Sequence, residues 1–367
     1  MTTTRAEPQP AGFADVRTTN LAVVLRHLRA HGPSSRAAIA AETGLTKATV
    51  SSLTGDLIEH RLLRETGPSG NRIGRPATVL ALDGSAYASI GMQIAPDQLT
   101  ALAVDYSGAQ LLLWHRATAG TTAEIVALAQ RAASRVRQQG RHVLGLTLAV
   151  PGDLPVSGAD LRDRVAGSLR RKDLVVTVAG SATLAALAEQ RLGGQRDLAY
   201  ISGAAGLEAG LIIDGNPVRG GRLGRSVLGP AGTPTLADRA GIASLVRRAL
   251  PDVDPEALTD LGSAVETVAV RARAGDVTAG KAVEHAGGYL GQGLALLANL
   301  IGPEVFVLGD HYATLAEWLA PAAARELERH APTPIVASTL GLHAAALGGA
   351  VSHLHQVDIG RLPDNDR

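Results

Sequence analysis

The hydrophobic period changes once along the chain, near Ala86. Before it, apolar residues fall at Leu21, Val24, Leu25 and Leu28 within NLAVVLRHLRAH, one face of an amphipathic helix. Gly32-Pro33 stops that helix. Ser34 or Ser35 is placed to cap a second one, RAAIAAETG, and Gly44 stands where a positive φ closes it. Thr46 caps a third, KATVSSLTGDLIEHRLL. Ala40 lies four residues before Gly44, where two helices approach closely, and Leu45, Val50 and Leu53 face inward. This small–glycine–apolar register predicts a helix-turn-helix. The following RETGPSGNRIGRPATVLAL reads as two short strands around a GPSGN turn, which adds a wing.

After Ala86 the period becomes that of strands. SIGMQIA, LTALAVD and AQLLLWH are three successive strands, followed by the helix AEIVALAQRAASRV and the buried strand VLGLTLAVPG. DLVVTVAG is a further strand and SATLAALAEQRLG its helix. YISGAAGLEAGLIIDG then runs strand, glycine-rich turn, strand. The remainder is mostly helical, with GGYLGQGLALLANLI as a long apolar helix and PEVFVLGD as a returning strand. Two rounds of hairpin strands followed by alternating helices and strands predict an α/β body of two similar lobes with a ligand cleft between them. The expected organisation is a disordered arm at 1–16, a winged helix-turn-helix at 17–83, and the body at 84–367.

Composition narrows the chemistry. The 367 residues are 46% hydrophobic but 2% aromatic, so aliphatic side chains must fill the cores. The absence of cysteine excludes disulfides, thiolate nucleophiles and cysteine-ligated zinc. The start, MTTTRAEPQPAGFADVR, lacks the apolar core of a secretory signal, and no apolar run is long enough for a bilayer, so a soluble cytoplasmic protein is expected. The net charge of +1 hides an asymmetry. Residues 17–76 carry nine Lys/Arg and four Asp/Glu, or +5; residues 1–16 carry −1; the remainder is 1 − 5 + 1 = −3. A basic N-terminal module on a mildly acidic body points to a polyanion partner.

The candidate DNA-binding residues follow from this placement. Ser35 and Arg36 begin the second helix. Thr46, Lys47, Ser51 and Ser52 lie on the outer face of the third, small or basic enough to enter a major groove, with Thr49 near the backbone. Arg72 and Arg75, extended and followed by proline at Arg75, are suited to a narrow adjacent minor groove.

Several motifs together resemble the ROK family, which groups repressors, open reading frames and sugar kinases. GLTKATVSSL with GRPATVLAL is similar to its repressor branch. AVPGD, ATLAALAE, LIIDGNPVRGG and ALLANLIGPEVFVLG are similar to its sugar-kinase body, from about residue 17 to about 353. The resemblance implies an actin-like, ribonuclease H-like two-lobed fold. It also implies a palindromic double-stranded operator bound by a homodimer or dimer of dimers, and control by a sugar or sugar derivative.

The parts that the family's kinases use are altered here. Where they carry an Asp-x-Gly-Gly-Thr phosphate hairpin, this chain has Gln93-Ile94-Ala95-Pro96-Asp97, and Pro96 removes an N–H donor. In the second phosphate turn Gly206 persists but Glu208 replaces a glycine, setting a carboxylate beside any phosphate. Gly180-Ser181 stands at the family's catalytic Asn-Asp pair. Ser181 is expected to cap its helix, and it has no neighbouring His to make it a nucleophile. The sugar-gripping Glu and His positions hold Leu228 and Ala231, and GPAGTPTLADRAG runs where a cysteine-rich zinc segment usually follows. His311, His343, His353 and His355 are read as surface or core histidines.

The expectation is therefore a DNA-binding transcriptional regulator, a repressor by resemblance. It has no catalytic residues, ATP, zinc or other metal, and no membrane association. Asp153, Ser181, Arg222 and Arg225 are the polar candidates for an effector. A sugar kinase fused to a DNA-binding domain, and a regulator without effector, are the alternatives. Arg75→Ala is expected to weaken operator binding more than tenfold with the fold intact. Unchanged affinity in a gel-shift titration at fixed salt removes the wing assignment.

Overall fold

A computed structural model describes residues 13–68, 78–95, 98–117, 120–152, 157–169, 174–204, 206–230, 232–253, 260–329 and 332–363. The N-terminal module contains α1 (Phe13–His31), β1 (Ser34–Ser35), α2 (Arg36–Thr43), α3 (Lys47–Glu59), β2 (Leu63–Pro68) and β3 (Thr78–Leu82). The helix expected from Asn20 already begins at Phe13, so the last residues assigned to a disordered arm are helical. Ser35, not Ser34, caps α2: its Oγ accepts the Ala38 N–H at 3.2 Å. Gly44 closes α2 at φ 74°, its N–H reaching the Ala40 carbonyl at 3.1 Å. β1, β3 and β2 form one antiparallel sheet beside the helices.

The first lobe holds β4 (Tyr87–Ile94), β5 (Gln98–Asp105), β6 (Gln110–Ala117), α4 (Thr122–Gln138), β7 (His142–Val150), α5 (Gly158–Leu169), β8 (Val175–Gly180) and α6 (Ser181–Gly193). The second holds β9 (Leu198–Ser202), β10 (Glu208–Ile213), β11 (Asn216–Gly221), α7 (Leu236–Ala240), α8 (Ile242–Ala249), α9 (Leu261–Arg273), α10 (Val277–Ile301), β12 (Val305–Leu308), α11 (His311–Thr314), α12 (Ala316–Leu327) and β13 (Ile335–Ala337). The chain ends in α13 (Ala344–Asp358), which packs back on the first lobe.

The two lobes repeat one topology. The sheet orders are β6-β5-β4-β7-β8 and β11-β10-β9-β12-β13. In each, a hairpin meander of three antiparallel strands is extended by two parallel strands. The parallel strands, such as LGLTLAV and VFVL, are buried on both faces and so read as continuous apolar runs. α6 and α13 cross between the lobes at backbone contact. A Cβ on Gly348 would lie 1.7 Å from the Leu184 carbonyl oxygen, and one on Gly91 would lie 1.8 Å from that of Ala346. Only glycine permits these crossings.

The N-terminal module is fused to the body rather than tethered. Leu25, Leu28, Ile39, Val50, Leu53 and Leu57 belong to the same buried cluster as Leu102, Leu187, Leu354 and Val357. At its rim, Asp358 Oδ2 accepts from Arg29 Nε of α1 at 2.6 Å and from Arg191 Nη2 of α6 at 2.7 Å. Asp358 Oδ1 accepts from the Tyr106 hydroxyl at 3.1 Å, and Arg29 also donates to the Tyr106 carbonyl at 2.9 Å. Burial and the adjacent Asp358 push the Tyr106 hydroxyl up, so it stays a donor.

Removing the carboxylate leaves two guanidiniums facing each other in a partly dry seam. The Arg29 and Arg191 side chains are 18% and 21% exposed, so Asp358→Ala is expected to cost about 2 kcal/mol in denaturant titrations, below the ~3–5 kcal/mol of a fully buried pair. Amide exchange in α1 should accelerate before that in the lobes. Uniform exchange rates would show that the triad does not anchor α1.

Candidate nucleic-acid interface and interlobe cleft

The third helix is built to present one face. Thr46 caps it, Oγ1 accepting the Thr49 N–H at 3.1 Å and lying 2.8 Å from Thr49 Oγ1. Val50, Leu53, Thr54 and Leu57 turn into the core. Thr46, Lys47, Ala48, Ser51, Ser52 and Gly55 are exposed, and Thr49 is half-buried. Gly55 was not singled out in the sequence; open space surrounds it, which extends the low, uncharged part of this face by one turn.

The sequence-predicted residues divide into two groups. Ser35, Thr46 and Thr49 are engaged in capping, and Arg36 braces the module: its Nε donates to Thr54 Oγ1 at 3.1 Å and its Nη2 to Glu65 Oε1 at 3.0 Å. Lys47, Ser51 and Ser52 stand on the open face. Arg72 and Arg75 lie outside the described residues; β2 and β3, which lead into and out of that segment, are paired antiparallel.

The lobes meet where the residues just after β7 face the start of β10 and the end of β11. Glu208, at the start of β10, accepts the Gly152 N–H at 2.6 Å, and Arg222 donates to the Gly152 carbonyl. Both polar groups of one residue at the end of β7 are thus held by the opposite lobe. Gln93 Oε1 accepts the Ala346 N–H at 3.3 Å and serves the start of α13. The amide at the first-hairpin position therefore has a structural use.

The second turn carries an internal anion that sequence reading missed. Asp310, at φ 51° just after β12, is buried, and Ser202 Oγ donates to its Oδ2 at 2.6 Å. The Gly203 N–H, within the turn that resembles a phosphate cradle, is also directed at this carboxylate. Burial pushes the Asp310 carboxyl up to about 6, against the lowering effect of these donors, and Glu208 adds to the rise. Gly309 is needed beside it because a Cβ there would lie 1.9 Å from the Tyr200 ring. Its only sequence signal was an acid directly after the apolar run VFVLG.

Contrary to expectation, Ser181 does not cap α6. Gly180 occupies the cap position and Ser181 is the first helical residue, because β8 runs into the helix without a turn residue to spare. Its Oγ is buried and has no hydrogen-bond partner among the described residues. Arg222 is exposed and engaged with Gly152, and Arg225 is exposed one turn further on. Asp153 and Ala231 lie outside the described residues, as do Pro96 and Asp97 of the first hairpin. Leu228 packs against the second lobe's core.

The segment standing in place of a zinc knot does not fit the metal. Asp238 is the one acid between Val227 and Gly241, and it is committed to a capping box with Thr235, at 2.8 Å from the Thr235 N–H and 2.7 Å from its hydroxyl. Of the C-terminal histidines, His311 is buried, His343 packs edge-on to His115, and burial lowers the affinity of His353 and His355 for a proton.

A helix-turn-helix on a two-lobed, sugar-kinase-like body defines a DNA-binding regulator. Residues 18–67 match the IclR helix-turn-helix domain. Over 95% of its length the chain is 23% identical to the xylose repressor of Bacillus spizizenii, covering 98% of that protein. It is 25% identical to the DNA-binding transcriptional dual regulator NagC of Escherichia coli, over 91% of each chain. Among solved structures, a ROK family transcriptional regulator homologous to the E. coli Mlc protein superposes with a TM-score of 0.76 at 21% identity, covering 95% of this chain and 98% of that one. A ROK family glucokinase from Streptomyces griseus superposes with a TM-score of 0.60 at 24% identity, covering 72% of this chain and 98% of the kinase. Over nearly its full length the chain is thus similar to transcriptional regulators of the ROK family.

Asp310 should leave a pH signature. Its folded pKa of about 6 exceeds the ordinary 3.8, so the folded chain binds the proton more tightly. The stabilisation is present below the unfolded value and is lost as pH rises through about 6. Between pH 5 and 7 the native chain should lose about 1 kcal/mol that Asp310→Asn does not lose. Parallel stability curves in denaturant titrations would assign the titration elsewhere.

Proposed function

We propose that this regulator binds a palindromic operator as a homodimer or dimer of dimers, does not phosphorylate sugars, and responds to a sugar or sugar derivative entering the interlobe cleft. The observation that carries the DNA-binding part is the exposed face of the first turns of α3, where Lys47, Ala48, Ser51 and Ser52 are small or basic and carry no acid. Two such helices in a dimer would sit about 34 Å apart, one turn of DNA. Arg72 and Arg75 would enter the flanking minor groove.

Three arrangements support the absence of kinase chemistry. The Ser181 hydroxyl stands where a base is required and has no hydrogen-bond partner among the described residues to activate it. Asp310 fills the second turn with a carboxylate, drawing on the Gly203 N–H that a phosphate would need. Glu208 adds a second carboxylate and ties the turn to Gly152.

Relatives named for xylose and N-acetylglucosamine support a neutral sugar-like effector. The route from cleft to DNA is supported by two helices. α6 starts at Ser181 in the cleft and reaches Arg191; α13 starts beside Gln93 and ends at Asp358. Both therefore terminate on the triad that holds Arg29 of α1. A ligand that displaces the Gly152 clamp would alter the angle between lobes, and so bias the orientation of the reading helices.

Genome-wide mapping of bound DNA followed by salt-dependent titration tests this. Lys47→Ala should weaken binding to the recovered operator and lower the salt slope by about 1. A variant with native affinity and slope would remove Lys47 from the interface. In parallel, coupled ADP-release assays across hexoses and N-acetylhexosamines should show no turnover; sustained turnover would restore the kinase reading.

A further inference from the structure

A crevice of about 520 Å³ opens where the N-terminal module meets the body. α1 gives it Leu28 and Arg29, the turn after α1 gives Pro33, and β3 gives Leu82. From the body come Arg191 and Leu192 at the end of α6, and Leu347 and Val351 of α13. It lies at the opposite end of α6 from Ser181, so it is separate from the interlobe cleft. Its volume is within the range of small-molecule sites, about 300–1,000 Å³.

The lining is mostly apolar, and among the described residues it carries two cations and no acid. Asp358 is the one carboxylate bonded to these arginines, and it accepts from both. Two guanidiniums thus share one carboxylate, which leaves one positive charge unbalanced. Both side chains are mostly buried, so water screens that charge weakly. Burial, and next the Arg29 charge, lower the hold of Arg191 on its proton, against the pull of Asp358.

The two arginines are not equally committed. Arg29 also donates to the Tyr106 carbonyl at 2.9 Å and lies over the Tyr106 ring, 4.8 Å from its centroid. Among the described residues, the one hydrogen bond of Arg191 runs from Nη2 to Asp358. A guanidinium offers five N–H donors in a planar fork, a shape that matches a carboxylate. The walls select what that carboxylate is attached to. A hydrophilic anion would leave the apolar lining unfilled, and an uncharged apolar molecule would dry the arginines without pairing them.

We propose that this crevice binds a small apolar carboxylic acid, aromatic or short aliphatic, whose carboxylate pairs with Arg191 and faces Arg29. With it bound, two carboxylates balance two guanidiniums. The apolar part lies between α1 and β3 on one side and α6 and α13 on the other, so the occupied site holds the module to the body more tightly.

The test uses the full chain without DNA, titrated by calorimetry with benzoate and hexanoate. Benzamide keeps the ring without the charge, and acetate keeps the charge without the apolar body. The expected result is one equivalent of benzoate or hexanoate bound, at least about tenfold more tightly than benzamide or acetate. Amide exchange at the ends of α1 and α6 should slow on binding. Arg191→Gln should weaken binding at least about tenfold. That variant also loses a bond to Asp358, so Leu192→Glu is the second test. This side chain is 66% exposed at the rim, and an acid there should repel the ligand with unchanged circular dichroism. Arg325→Gln, in the second lobe, should bind as the native chain does. No binding of either acid at millimolar concentration, equal affinity for benzamide or acetate, or native affinity in Arg191→Gln or Leu192→Glu, overturns the site.

Discussion

The N-terminal helical module is tied to the body by one carboxylate, that of Asp358 at the end of α13. Asp358 closes α13 and takes a guanidinium from each of α1 and α6, while Tyr106 holds its other oxygen. An acid at a helix C-terminus is unfavourable against the helix dipole, and two arginines offset it. The apolar seam beneath, from Leu25 and Leu28 to Leu354 and Val357, is non-directional and by itself fixes no orientation. The directional hydrogen bonds that Asp358 accepts supply the geometry. Loss of these bonds would leave the module held by apolar contact alone.

The same economy appears in the cleft. A fold that elsewhere holds a nucleotide is kept closed here by its own groups. Glu208 and Arg222 take both polar atoms of Gly152, and Asp310 takes the donors of the second turn. These contacts cross between or lie beside the lobes, and those to Gly152 join them directly. Asp310 is placed there at a cost: a non-glycine residue at φ 51° is strained by roughly 1–3 kcal/mol, and its charge is buried. Such strain is characteristic of places where a structure is poised between arrangements.

Much of this was legible in the residues. The helix-turn-helix followed from helical spacing, a glycine at a left-handed turn and small residues at the crossing, all local properties. The body's hairpins and buried strands were legible for the same reason. The altered kinase positions were visible as residue types: an amide at 93, a carboxylate at 208, a hydroxyl at 181. Less legible were the uses to which they are put. Gln93 caps α13 across 253 residues of sequence, and Glu208 reaches 56 residues back to Gly152. No periodicity encodes a partner at that distance. The role expected for Ser181 failed for a local reason, since Gly180 already occupied the cap.

The sequence by itself determined the elements, their order, the repeated lobe and the small, polar outer face of α3. These depend on backbone propensity and hydrophobic period, which act over a few residues. Tertiary structure alone decided which polar groups meet: Arg29 with Asp358, Ser202 with Asp310, His27 with Glu42. Hydrogen bonds and charge pairs act over a few ångströms, so they exist only after the apolar cores have brought distant segments into contact.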